Sequence, residues 1–297
     1  MRRRFVPGYG FGILLGIAAA ICWSLGGVLV RLVHEAGSWH IILYRSLGLA
    51  VALTVLIAMV HGWRGWWRSV QAAGVAAVVA GICSTASSVF FILSLGRITV
   101  ANALFMGGIT PFLAAIGAQV FLAERVSRSA MGAMSLAAAG VAVMLGSGLA
   151  LGQLAGNLLA LGSGISFAAH GLVLRARRQT DMLPAVLHAG LGGVVVSLLA
   201  LGLLGLSPAI SVRDLGLTLV MGVVQLGIGM VLYTRASRHL PAAELQLLAT
   251  SELVMGPLWV WIAVGEAPGA ATLAGGVLIL LAIVIQARPA LERRLLP

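Results

Sequence analysis

Apolar runs of about twenty residues follow one another along the chain, separated by short polar links that carry proline, glycine or arginine. A helix needs about 20 mostly apolar residues to cross the hydrocarbon core of a bilayer, so each run predicts one transmembrane helix. No link is long enough for a separate soluble domain. The predicted fold is therefore an all-α, polytopic membrane protein. Its ten predicted spans cover residues 10–33, 39–60, 70–94, 98–121, 129–147, 153–174, 184–206, 213–234, 241–263 and 268–287.

The composition agrees with a protein that lies in lipid. Of the 297 residues, 60% are hydrophobic and 9% are charged, whereas about a quarter of the residues of an average soluble domain are charged. All 19 basic residues are arginine, which excludes chemistry that needs a lysine amine, such as a Schiff base or a P-loop. The arginines form short clusters between the apolar runs, so we expect no nucleic-acid partner. Neither cysteine has a metal-binding or redox spacing, and no cofactor is predicted.

The positions of the arginines predict the orientation in the membrane. When the N-terminus is placed in the cytoplasm and the spans alternate, fifteen of the 19 arginines fall in cytoplasmic segments, and only Arg31, Arg97 and Arg213 fall in outer ones. Cytoplasmic loops of membrane proteins are enriched in basic residues. We therefore expect both termini to lie in the cytoplasm. An error of one in the number of spans would destroy this bias. The distribution of arginines therefore also favours ten spans.

The two halves of the chain resemble each other at an offset of 142 residues. At this offset Glu124 falls on Glu266, and each of these glutamates ends an apolar span. The pattern predicts two five-helix repeats, residues 1–148 and 149–297. Because each repeat has an odd number of spans, the second repeat is inverted in the membrane, as in many secondary transporters.

In each half an aromatic residue of the first span is followed eight residues later by an arginine, Trp23 and Arg31 in the first half and Phe167 and Arg175 in the second. Together with the two glutamates, this pattern resembles the ten-helix EamA-type exporters of the drug/metabolite transporter superfamily, and it is similar to bacterial amino-acid and drug exporters. The motifs that carry the resemblance are Trp23-Ser-Leu-Gly to Arg31, Thr110-Pro111 to Leu122-Ala-Glu124-Arg125, Gly132 with Gly140, and Glu252 to Gly265-Glu266.

The resemblance implies a secondary transporter of the bacterial inner (plasma) membrane that works by alternating access. It also implies a central cavity lined by the first four helices of each half. One position departs from the family pattern, because Glu252 is followed by Leu253 and the nearest proline stands at Pro257. The sequence therefore leaves open where the ninth span is broken.

Two charged residues inside predicted spans are candidates for a substrate site, because a charge at membrane depth is costly and rarely kept without a function. Glu252, near the middle of the ninth span, is a candidate to bind an amino or cationic group or to carry a coupled proton. The alternative is a structural carboxyl group between helices. Arg45, one to two turns into the second span, is a candidate to attract a substrate carboxylate. The alternative is a side chain that extends to the interface.

Uncharged side chains complete the predicted substrate site. Aromatic rings at membrane depth suit an apolar substrate group, and polar groups are expected to point away from lipid. His170 is a candidate proton relay, or else a hydrogen-bonded packing residue. The fifth and tenth spans have few polar residues and are predicted to be peripheral. The uncharged candidates are Trp23, Tyr44, Phe90, Asn102, His170 and Ser251.

These features favour an exporter of small amphipathic metabolites, with aromatic or hydrophobic amino acids as the expected substrates. Efflux of lipophilic cations, which would use Glu252 and aromatic faces, is the alternative within transport. No His-Glu-x-x-His or Gly-x-Ser-x-Gly motif occurs, which argues against an intramembrane enzyme, and no channel filter motif is visible. The expected partners are a small-molecule substrate and the lipid bilayer. The sequence leaves the energy coupling and the oligomeric state open.

Overall fold

The computed structural model describes residues 9–122, 128–150 and 153–295, and Glu124 lies outside them. Within this part the chain forms ten membrane-spanning helices, α1–α10, which confirms the predicted all-α, polytopic fold. The helices are α1 (Tyr9–Arg31), α2 (38–61), α3 (75–95), α4 (Val100–Leu122), α5 (Arg128–Ala150), α6 (Leu154–Ala176), α7 (Leu183–Leu203), α8 (Val212–Ala236), α9 (Ala242–Ala249 and Glu252–Val264) and α10 (Ala270–Leu295).

Helices α2 and α3 belong to one helical stretch, Ser38–Leu95, which bends sharply at two glycines. Gly62 has φ 70° and Gly74 has φ 56°, a left-handed conformation that glycine adopts without steric cost. Residues 63–73 between them form a separate helical connector. The third predicted span began at residue 70, so its start moves to the second bend. Trp63 is 75% exposed in this connector, which is the exposure that an interfacial aromatic belt requires.

Helices α4 and α9 are each broken near their middle, and both breaks precede a residue that points to the centre of the bundle. In α4 the second part begins at Thr110, directly before Pro111, whose missing N–H suits the start of a helix. In α9 the second part begins at Glu252, although Pro257 lies further along the same helix. The break in α9 therefore lies 142 residues after the break in α4, at the offset of the predicted repeat.

Helix α8 changes from α-helical to π-helical geometry in its middle third. Its central stretch, Met221–Ile228, is π-helical, between the α-helical segments Val212–Val220 and Gly229–Ala236. Such stretches are rare and are found mainly at functional sites. Here it carries Gln225 and Leu226 to the centre of the bundle.

The helices form a central group with one peripheral pair. Helix α1 packs against α8 and α9, while α2 and α3 pack against α6 and α7. Helices α5 and α10 pack mainly against each other. The central group therefore encloses the space between the two halves of the chain.

Candidate functional site

A cavity of about 130 Å³ lies between the central helices. A cavity of about 150 Å³ holds one benzene molecule, so this volume is on the scale of one small apolar group. Helices α1–α4, α6, α8 and α9 contribute its walls, and no described residue of α5, α7 or α10 does. The lining residues are Trp23, Arg45, Ser84, Ser87, Ser88, Phe91, Ala103, Leu104, Gly107, Thr110, Ser163, Gly164, Phe167, Gln225, Leu226, Met230 and Glu252.

Arg45 presents a buried guanidinium group to this cavity. Its side chain is turned into the bundle and the residue is only 3% exposed. The guanidinium donates to the hydroxyl and the carbonyl oxygen of Ser88 on α3, but Nε has no hydrogen-bond partner among the described residues. No carboxylate forms an ion pair with Arg45 in the same part of the chain. The guanidinium therefore has donors to spare for an anionic group in the cavity.

Glu252 presents a carboxyl group to the same cavity. It is the first residue of the second part of α9, and the partial positive charge at a helix N-terminus stabilises a carboxylate there. Its counterpart at the offset of 142 is Thr110, which also lines the cavity and begins the second part of α4. The Thr110 hydroxyl donates to the carbonyl of Gly107 at 2.5 Å. Two half-helix N-termini therefore meet at the cavity, one with a charged side chain and one with a neutral side chain.

Aromatic rings form the apolar side of the cavity. The rings of Trp23 on α1 and Phe167 on α6 lie edge to face, with centroids 5.3 Å apart. Tyr233 on α8 lies behind both, with centroid distances of 5.2 Å to each. Trp23 and Phe167 are the aromatic residues that stand eight positions before Arg31 and Arg175, so the two matching motifs meet here. Phe91 adds a third ring to the lining.

Hydroxyl groups on the cavity wall mostly connect helices. The Ser163 hydroxyl donates to the carbonyl of Ser87 at 2.9 Å, and the two hydroxyl oxygens lie 3.2 Å apart. These contacts join α3 to α6. Gln225 is different, because its amide nitrogen donates to the Trp23 carbonyl at 3.5 Å while Oε1 has no partner among the described residues. Gln225 therefore offers an acceptor to the cavity.

Three of the predicted site residues, Trp23, Arg45 and Glu252, line the cavity together. Tyr44 does not line it, because its hydroxyl donates to the carbonyl of Pro208 at 2.7 Å in the link between α7 and α8. Phe90 packs beside Gly162 instead, and its neighbour Phe91 faces the cavity.

The remaining predicted residues make contacts within and between helices outside the lining. The Asn102 amide donates to Asn157 at 2.7 Å and so joins α4 to α6. His170 is fully buried, with Nδ1 2.9 Å from the carbonyl of Ala80. The Ser251 hydroxyl donates to a carbonyl three residues earlier in α9. A part for these residues in transport stays a prediction.

Phe167, Thr110 and Gln225 line the cavity but were not among the predicted site residues. Thr110 lies 142 residues before Glu252, and Phe167 holds the place of Trp23 in the matching aromatic–arginine motif, so the predicted repeat, applied to the site as well as to the motifs, would have found both. Gln225 carried a weaker signal as a polar side chain in the middle of an apolar span. Its position in the cavity depends on the π-helical stretch of α8.

Comparison with known proteins gives one family. The sequence profile of the EamA-like transporter family matches residues 10–146 and again residues 154–287. Two curated relatives, each named pseudopaline exporter CntI, come from Pseudomonas aeruginosa strains UCBPP-PA14 and PAO1. Both are 28% identical over 289 residues, which cover 93% of this chain and 96% of theirs. A solved crystal structure has a TM-score of 0.70 over 97% of this chain and 99% of that chain, at 17% identity. At this identity the likeness shows the fold alone.

Proposed function

The chain belongs to the EamA-like transporter family, and we propose that it exports a small zwitterion with an apolar side chain, of which hydrophobic and aromatic amino acids are the simplest examples. The observation that carries this proposal is a pair of opposite charges on one cavity. Arg45 and Glu252 both line it, and neither forms an ion pair within the described part of the chain. A charge within a membrane span that lacks a partner is costly. A substrate that brings both counter-charges removes both costs.

In this proposal the substrate carboxylate lies against Arg45, whose planar guanidinium matches the two oxygens of a carboxylate. Ser88 holds the guanidinium from the α3 side. The ammonium group lies against Glu252, and the apolar side chain contacts the rings of Trp23 and Phe167.

We further propose that transport follows alternating access between two inverted repeats, residues 1–148 and 149–297, with the substrate site between them. The matching breaks in α4 and α9 support this. So does a second pair of contacts, since Arg31 donates to the carbonyl of Ile98 and Arg175 donates to the carbonyl of Leu240. The two carbonyls lie 142 residues apart and the two arginines 144. The family profile also matches each half separately.

The relatives give a second candidate substrate. Both are named as exporters of pseudopaline, and their likeness extends over nearly the whole chain. Pseudopaline therefore belongs in the substrate panel beside the amino acids. Efflux of lipophilic cations is a weaker candidate, because a buried guanidinium on the cavity wall repels a cation.

Uptake into protein-containing liposomes, compared with empty liposomes, tests the proposal. The panel consists of labelled phenylalanine, labelled leucine, pseudopaline and a lipophilic dication. Saturable amino-acid flux is the expected result. Flux of pseudopaline alone would favour pseudopaline as the substrate. Flux of the dication alone would contradict the zwitterion site.

Competition with single-charge analogues tests the roles of the two residues. Unlabelled phenylalanine is expected to compete better, by about tenfold or more, than its analogue without the carboxylate or its analogue without the amine. Arg45→Gln should remove the advantage over the first analogue, and Glu252→Gln should remove the advantage over the second. Arg97→Gln is the matched control, because Arg97 is exposed and donates to the carbonyl of Leu93 at the end of the preceding helix α3. If both cavity variants weaken all three competitors equally, the residues are structural.

We also propose that the protein lies in a bacterial inner membrane with both termini in the cytoplasm, as the distribution of arginines suggests. Single cysteines at Arg64 and Ala209, which are exposed at opposite ends of the bundle, test this orientation. A membrane-impermeant thiol reagent applied to intact cells should label only the cysteine at 209. Labelling at 64 alone would reverse the orientation.

A further inference from the structure

A second cavity, of about 460 Å³, lies at one end of the bundle, apart from the substrate cavity. The ends of α1, α2 and α8 and the links that follow α6 and α8 form its walls. Two arginines and two histidines surround a single carboxylate. These polar lining residues are His61, Asp181, Arg235, Arg238 and His239.

The single carboxylate is already engaged. Asp181 accepts from Arg238 Nη2 at 2.9 Å, and its other oxygen lies 3.6 Å from His61 Nε2. The guanidinium of Arg235 lines the same cavity and has no ion pair or hydrogen bond to another described residue. The cavity therefore has an excess of positive charge even when both imidazoles are neutral.

The Arg235 side chain is exposed near the end of α8. Arginines near helix C-termini are favoured by the helix dipole and by the preference for basic residues on the cytoplasmic side. An arginine with only that role can donate to carbonyls at the helix end, as Arg97, just after α3, does to Leu93 at 2.7 Å. The Arg235 guanidinium instead borders the cavity, where the guanidinium of Arg238 also lies.

The rim of the cavity is apolar and open. Phe11 is 56% exposed and Val60 is 54% exposed, and both line the cavity beside the charged groups. They belong to membrane-spanning helices, so their exposed surfaces face lipid chains. A ligand that fits has a negatively charged group attached to an apolar chain.

We propose that this cavity binds the phosphate group of an anionic phospholipid, with Arg235 and Arg238 on the phosphate and Phe11 and Val60 on an acyl chain. Basic pockets between transmembrane helices are suited to anionic headgroups, and paired guanidinium groups bind phosphate oxygens well. The lining comes from both halves of the chain, so the bound lipid would link α1 and α2 to α8 at this end. This end carries the arginines that the sequence predicts to be cytoplasmic.

Titration of the purified full chain in detergent tests the site. The probes are phosphatidylglycerol, phosphatidylcholine and inorganic phosphate at matched concentrations, and the readouts are the thermal midpoint and the bound lipid counted by native mass spectrometry. Phosphatidylglycerol alone is expected to bind and to raise the midpoint. Equal protection by inorganic phosphate would assign the cavity to a free anion, and equal protection by phosphatidylcholine would remove the role of charge; either result overturns the lipid proposal.

Variants locate the binding. Arg235→Gln should raise the phosphatidylglycerol concentration at half-saturation by about fivefold. Arg64→Gln is the matched control, since Arg64 is an exposed arginine of the connector 63–73 outside the cavity, and it should leave the half-saturation point unchanged. An equal effect of the two substitutions would show general surface attraction and overturn the proposal.

Asp181→Asn separates binding from stability. This substitution removes the carboxylate that holds Arg238 and His61, so phosphatidylglycerol should bind about fivefold more tightly. A purely structural role of Asp181 predicts a lower thermal midpoint with no tighter lipid binding. That second outcome would contradict the assignment of this cavity to a phosphate group.

Discussion

The guanidinium of Arg31 and the carboxylate of Glu266 form an ion pair, with Nε and Oε2 2.7 Å apart, across 235 residues of sequence. Arg31 also donates to the carbonyls of Leu95 at 2.8 Å and Ile98 at 3.1 Å. The other oxygen of Glu266 accepts from the backbone N–H of Val100 at 2.7 Å. One network thus holds the end of α1, the link between α3 and α4 and the link between α9 and α10 together.

Substitution of Arg31 should weaken this end of the bundle. Arg31→Gln removes the ion pair and the donors to two carbonyls, while both side chains are partly exposed and therefore partly screened. We expect the free energy of unfolding to fall by roughly 2 kcal/mol. Denaturant unfolding in detergent measures this. The control is Arg97→Gln, which replaces an exposed arginine in the link between α3 and α4 and should change the free energy of unfolding by under about 0.5 kcal/mol. Equal losses of stability in the two variants would contradict the importance of the network.

Asp214 should stabilise the link between α1 and α2 through its carboxylate. The carboxylate accepts from the backbone N–H groups of His34 at 3.3 Å, Glu35 at 2.9 Å and Ala36 at 2.9 Å. Asp214→Ala leaves these donors without their acceptor, which should cost about 2–3 kcal/mol of stability. Glu35→Ala, which truncates an exposed side chain of the same link and keeps its N–H, is the control. Comparable thermal midpoints for the two variants would refute this role.

Gly229 should be needed for the position of Trp23. A β-carbon added at Gly229 would overlap the indole ring of Trp23, whereas nothing lies within 4 Å of one added at Gly216 in the same helix. Gly229→Ala should therefore displace the ring, lower stability by about 1–3 kcal/mol and reduce transport in liposomes. Gly216→Ala should keep transport and stability, since alanine favours a helix more than glycine does. Normal flux through the first variant would show that the indole position is not critical.

Trp23 should contribute to stability far more than an exposed tryptophan. It packs against Phe167 and Tyr233, so Trp23→Ala is expected to cost about 3 kcal/mol or more. Trp63 lies in the exposed connector, and Trp63→Ala should cost under about 0.5 kcal/mol in detergent. A Trp23→Phe variant keeps a ring in the wall and should recover part of the stability. Equal thermal midpoints for the two alanine variants would contradict the aromatic packing.

The sequence located the charged candidates better than the uncharged ones, and the reason is physical. A charge inside a membrane span is expensive wherever it faces lipid, so Arg45 and Glu252 had to turn inward. No such penalty separates Phe90 from Phe91 or Tyr44 from its neighbours. Adjacent helical residues differ in direction by about 100°, and the sequence does not fix the rotation of a helix that is apolar on all sides.

The sequence by itself determined the ten helices, because only a helix satisfies its own backbone in lipid and each span needs a fixed length of apolar residues. It also determined the two charges inside the spans and the aromatic–arginine motif that places Trp23 and Phe167 in matching positions. Only the tertiary structure decided which faces of those helices meet. The cavity, the place of the break at Glu252 and the basic pocket at Arg235 all depend on contacts between segments far apart in sequence. Such contacts are set by helix packing, in which small residues and local breaks outweigh hydrophobicity.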